Sequence, residues 1–143
     1  MKVAIGCDHG GYNLKQTLKT HLLEKGIEVL DVGTYSLDSC DYPIYGHKVG
    51  LEVKNGNVDF GIVVCTSGEG IMMAANKVEG VRAGLAYNDE VAALMRQHNN
   101  ANVIGFGAKF IKKEDAIRRL DIFLSTDFEG GRHERRVDLI EKI

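Results

Sequence analysis

The sequence predicts an α/β protein: a five-stranded parallel sheet covered by helices on both faces, with one more helix at the C-terminus. Two observations carry this. Short apolar runs alternate five times with segments of helical periodicity, the pattern of parallel strands joined by crossover helices. Turn-forming and capping residues, including the lone Pro43, fall between those segments.

Val3-Ala4-Ile5 is the first strand, followed at once by Gly6-Cys7-Asp8-His9-Gly10-Gly11. Tyr12 to Lys25 places Leu14, Leu18, Leu22 and Leu23 at helical spacing, and Gly26 is a natural C-cap. Ile27 to Val32 reads as the second strand, ended by Gly33, and segment 34–42 is polar and irregular. Tyr42-Pro43 opens a helix carrying Tyr45, Val49, Leu51 and Val53 and closing near Asn55-Gly56. Phe60 to Val64 is the third strand, and Ile71 to Ala75 a helix-forming run.

Val81 to Ala86 makes a fourth strand. Asn88-Asp89 caps a helix to about His98, with Val91, Leu94 and Met95 inward. Asn102 to Phe106 is the fifth strand. Lys113-Glu114-Asp115 opens a helix carrying Ala116, Ile117, Leu120, Ile122 and Phe123. A break at 126–131 precedes a last helix from Arg132.

At 143 residues, with 44% hydrophobic and 27% charged side chains, the chain is expected to fold as one domain, 1–143. A net charge of −2 with interspersed signs offers no field for nucleic acid. No apolar run reaches membrane-spanning length, and the N-terminus lacks a signal-peptide plan. Three cysteines without metal-ligand spacing point to a reduced cytoplasm, without disulfides and without a structural metal.

Ligands in such a sheet bind beyond the carboxyl ends of the strands. The stretch there with most chemistry is Cys65-Thr66-Ser67-Gly68-Glu69-Gly70. A strand–loop–helix turn aims several backbone N–H groups and the positive end of a helix at one point, where an oxyanion is stabilised. A cysteine beside it has its thiolate favoured; a small buried hydrophobe is the other reading of the same residue. Asp8-His9 adds a carboxylate and an imidazole after the first strand, and His98-Asn99 follows the fourth helix. Arg132 and Arg136, at i and i+4, present two guanidinium forks on one face, suited to a phosphate. No nucleotide-binding glycine fingerprint or Walker-type loop is present.

Taken in order, Gly6–Gly11, Asp41-Tyr42-Pro43, Cys65–Ile71, Ala74–Lys77, Gln97-His98-Asn99 and Glu129–Arg136 resemble the ribose-5-phosphate isomerase B family, which includes the galactose-6-phosphate isomerase subunits. The resemblance runs essentially end to end. It implies a Rossmann-like three-layer α/β/α sandwich, no cofactor, and a homodimer or dimer of dimers with active sites across the interface. It also implies aldose–ketose isomerisation of a sugar phosphate through a metal-free cis-enediolate. By the same resemblance Cys65 matches the base and Ser67 the hydroxyl near the reacting oxygens. The amides of Gly68, Glu69 and Gly70 match the anion hole, with Thr66 in the same loop. Asp8 and His98 match ring-opening residues, and Tyr42 and Asn99 match sugar contacts. His9, Arg132, Arg136 and Lys109 match the phosphate clamp. Relatives carry arginine at position 109, so Lys109 keeps the charge and loses the bidentate fork.

Ribose 5-phosphate with ribulose 5-phosphate is the first-choice substrate pair. Allose 6-phosphate or galactose 6-phosphate is the alternative within the same chemistry. A non-catalytic sugar-phosphate-binding module and a flavodoxin-like electron carrier are the readings from other classes.

Overall fold

The computed structural model describes residues 1–143. Strand β1 (Lys2–Cys7) pairs in parallel with β2 (Glu28–Asp31) on one side and β3 (Phe60–Cys65) on the other. Past β3 lies β5 (Val103–Gly107), and β4 (Ala83–Leu85) forms the far edge, giving the order β2-β1-β3-β5-β4. Right-handed crossovers place a helix on one face when the chain moves one way across a sheet, and on the other face when it turns back. Accordingly α1 (Tyr12–Glu24), α4 (Asp89–Gln97) and α5 (Lys113–Ser125) cover one face, and α2 (Tyr42–Lys54) and α3 (Glu69–Asn76) the other. The expected three-layer sandwich is present, with α6 (Arg132–Glu141) as the C-terminal helix.

Side chains alternate along each strand. Val3, Ile5, Cys7, Ile62, Val64, Ile104 and Phe106 enter the core under α1, α4 and α5. Ala4, Val63, Cys65 and Val103 enter the smaller core under α2 and α3. Helix α2 lies unusually close to the sheet: a β-carbon on Gly61 would stand 2.5 Å from a Val49 methyl.

Four expectations need correction. Leu23 and Leu51 are exposed, because each lies off the stripe of its helix that the sheet covers. On α4 the buried residues are Ala92, Met95 and Arg96, while Val91 and Leu94 are half-buried. Arg96 turns its stem inward, lies 4.8 Å over the Phe60 ring and donates to Thr126 O and Ala101 O. Strand β4 is shorter than 81–86, since the Arg82 amide bonds the Asn102 side chain instead of a strand. Helix α3 starts at Glu69, two residues before its apolar run, so Glu69 and Gly70 belong to its first turn.

One buried ion pair was not foreseen. Lys15 on α1 is fully buried and bonds both Asp31 carboxylate oxygens, at 2.8 and 3.0 Å, and the Thr34 carbonyl. Burial pushes the Asp31 carboxyl upward, but the bonds from Lys15 and the Gly33 amide outweigh it and hold the group below its ordinary range. Removing Asp31 leaves the buried Lys15 ammonium with the Thr34 carbonyl as its one remaining hydrogen-bond partner. Asp31→Ala is therefore expected to lose about 3–5 kcal/mol in urea unfolding, and Lys15→Met/Asp31→Leu to recover most of it. A depressed folded-state value means the contribution is full above the ordinary carboxylate range. The gap between wild type and Asp31→Ala should thus narrow as pH falls below about 4.

Candidate active site

Because every strand points the same way, loops that follow strands gather at one end of the sheet and loops that precede them at the other. The candidate residues divide between these ends.

At the carboxyl end the loop after β3 lies between those after β1 and β5. The Asp8 amide donates to Val64 O at 3.3 Å, and the Lys109 amide to Thr66 O at 3.1 Å. Asp8 is buried and caps a short turn, accepting from the Gly11 amide at 3.1 Å. A β-carbon on Gly10 would stand 2.1 Å from Thr66 Oγ1 and 3.3 Å from the Thr66 nitrogen, so glycine lets the two loops meet without displacing the Thr66 side chain.

Cys65 is the last residue of β3, and its sulfur accepts the Gly68 amide at 3.1 Å. Gly68, in the left-handed region at φ 81°, then turns the chain into α3. The Glu69 amide donates to Ser67 Oγ at 3.2 Å, and the first intrahelical bond runs from the Met72 amide to Gly68 O. Gly70 and Ile71 in that first turn therefore have amides free of the helix's own ladder. Tyr42, at the start of α2, lays its ring against Gly70, whose β-carbon would stand 2.6 Å from it. His9 Nδ1 accepts the Cys40 amide at 3.2 Å, which places the ring proton on Nε2 and leaves that N–H to donate elsewhere.

His98, Asn99, Arg132 and Arg136 are elsewhere. Helices α4 and α5 both run back along the sheet, so residues 98–100 and 126–132 meet at the amino end of the strands. The Glu129 amide bonds Gln97 O at 3.1 Å, and the His98 and His133 rings stack at 4.2 Å. Burial first, then His98 and Arg132, pull His133 below the ordinary histidine value. Arg82 donates to Asn100 O at 3.0 Å and to Glu141 at 2.8 Å, tying this loop to α6. Arg132 and Arg136 are exposed and take part in none of the chain's ion pairs. The largest cleft, about 700 Å³, includes Asn99 and Arg82 and lies away from Cys65. A cleft of about 350 Å³ flanks Ser67 and Glu69. One chain thus carries both sets of candidates and does not bring them together.

The family described as Ribose/Galactose Isomerase matches residues 3–140. The chain belongs to that family. It is 46% identical over 142 residues to ribose-5-phosphate isomerase B of Escherichia coli, covering 99% of this chain and 95% of that one. Identity to ribose-5-P isomerase B of Listeria innocua is 45% over 143 residues, covering 100% of this chain and 97% of that one. Among solved structures, ribose-5-phosphate isomerase B of Clostridium thermocellum superposes with a TM-score of 0.98 at 45% identity, covering 99% and 96% of the two chains. The Mycoplasma genitalium isomerase B, solved with ribulose-5-phosphate bound, gives 0.94 at 43% identity, covering 99% and 94%.

Sequence reasoning passed over the backbone donors at Cys40 and Ile71, because an amide leaves no mark on residue type. It also passed over His133, whose burial beside His98 is a tertiary fact. The cysteines differ sharply. Cys7 is fully buried and burial pushes its thiol up to about 12, whereas Cys40 is half-buried. In native protein treated with iodoacetamide, peptide mass spectrometry should find Cys40 modified and Cys7 untouched until denaturant is added.

Proposed function

We propose that this chain interconverts ribose 5-phosphate and ribulose 5-phosphate through a metal-free cis-enediolate, with residues 1–143 acting as one isomerase domain. The observation that carries it is the relation of Cys65 to the first turn of α3: a sulfur beside backbone donors that have no partner in the helix.

Isomerisation needs a base for the C2–H and donors for the oxyanion that forms as it leaves. Cys65 takes that proton and returns it to C1. The amides of Gly70 and Ile71, free of the helix ladder, hold the enediolate charge; those of Gly68 and Glu69, which bond Cys65 Sγ and Ser67 Oγ without substrate, complete the hole as they turn to it, and the Ser67 and Thr66 hydroxyls lie in the same loop. The bond from Gly68 to Cys65 Sγ keeps the sulfur at the mouth of this hole. Asp8 opens the furanose ring together with His98, and Tyr42 and Asn99 hold the sugar. His9, Lys109, Arg132 and Arg136 clamp the phosphate, whose binding positions the reacting end.

His98, Asn99, Arg132 and Arg136 lie at the far end of the sheet from Cys65, so in this reading a second copy supplies them. The protein then works as a homodimer or a dimer of dimers. Ile44, Leu51 and Met73, exposed on α2 and α3, and Leu139 and Ile140 on α6 offer apolar surface for such contacts. No helix is long and apolar enough to cross a membrane. A cytoplasmic location suits three free cysteines and a sugar-phosphate substrate.

Proton NMR of ribose 5-phosphate with the purified protein in D2O and a chelator tests the reading. Ribulose 5-phosphate carrying deuterium at C1 is the expected product. Cys65→Ala should slow its formation by about 10²–10⁴-fold while binding phosphate as before. Well-folded protein that gives neither conversion nor exchange would overturn the assignment.

A further inference from the structure

We propose that His98, Glu129 and His133 form a site for one transition-metal ion of the zinc class, and that an ion there inhibits the isomerase. Each residue offers one ligand atom, and the three atoms lie within 4.8 Å of one another. Two imidazole nitrogens and one carboxylate oxygen suit Zn²⁺, Co²⁺ or Ni²⁺ rather than Mg²⁺ or Ca²⁺.

Three separate elements supply these ligands. His98 ends α4, Glu129 lies in the connection to α6, and His133 is in the first turn of α6. Their backbones are already fixed. The Glu129 amide bonds Gln97 O, and the His133 amide bonds Gly130 O at 3.1 Å. Gly130 and Gly131, at φ 68° and 58°, turn the connection between Glu129 and His133, and both of these residues reach His98.

Ligands about 2.0–2.2 Å from a tetrahedral ion stand about 3.3 Å apart. His98 Nε2 and Glu129 Oε1 are already 3.6 Å apart. The two rings are face to face, 11° from parallel, so their lone pairs do not yet converge. His133 is the buried, fixed ligand, while the His98 and Glu129 side chains keep 39% and 48% of their exposure and are free to turn toward it. Arg132 and Arg136 on the same helix oppose a cation, so binding is expected to be reversible by a chelator.

Inhibition rests on the isomerase reading, because the ion would occupy the imidazole assigned to ring opening; binding does not. Chelator-stripped protein titrated with Co²⁺ and followed by visible absorption should take up one ion per chain. The d–d bands should appear without the thiolate charge-transfer band that Cys40 or Cys65 would give. Glu129→Gln and His133→Gln, each checked for folding by circular dichroism, should weaken binding at least about tenfold. Zn²⁺ should inhibit turnover of ribose 5-phosphate, reversed by chelator, and Glu129→Gln should keep its activity in the same Zn²⁺. A thiolate band, no saturable uptake, or unchanged affinity in both variants would overturn the site. Binding as described in a protein without isomerase activity would sink the activity and leave the site standing. Binding without inhibition of an active enzyme would overturn the inhibitory role.

Discussion

Parallel pairing from β2 across to β4 forces each crossover helix to run back along the sheet before the next strand can start. Every segment that follows a strand then opens at one end, and every segment that precedes one opens at the other. The placement of Cys65, Asp8, His9 and Lys109 at the first end, and of His98, Asn99, Arg132 and Arg136 at the second, is a consequence of that polarity. No local adjustment of a loop can move a residue across the length of a strand.

Within the first end, the strand order decides which loops touch. β1 and β5 flank β3, so their following loops close on the turn between β3 and α3 from both sides. The contact is backbone on backbone. A β-carbon on Gly107 would meet Ser67 O at 2.4 Å, and Gly11 would meet Val64 O at the same distance. The 34–41 segment is fixed from beneath by the buried Lys15, which holds Asp31 and the Thr34 carbonyl together. From that anchor the segment delivers the Cys40 amide to His9 and the Tyr42 ring to Gly70. A charge pair in the core thus helps to set the geometry of a polar site above it.

The layers and the five strands were legible because apolar runs and helical spacing are local signals. Strand order was not, since it depends on which way the chain turns at each crossover. Local pattern placed α4 and its Asn88 cap correctly but misjudged part of its buried face, where an arginine took an inward position by stacking on Phe60 and finding carbonyl partners. The turn at Cys65–Gly70 was readable from residue types alone, as was the paired spacing of Arg132 and Arg136. The pairing of Lys15 with Asp31 and of His98 with His133 depends on elements far apart in sequence that only folding brings together.

The central claim is that two chains build each catalytic site, one supplying Cys65 and the other His98. Mixing inactive Cys65→Ala protein with inactive His98→Ala protein, after subunit exchange confirmed by native mass spectrometry, tests it most directly. Random pairing makes half the dimers mixed, and each of those carries one intact site of two. The mixture should therefore recover roughly a quarter of wild-type activity. Verified exchange with no recovery would contradict a site shared between chains.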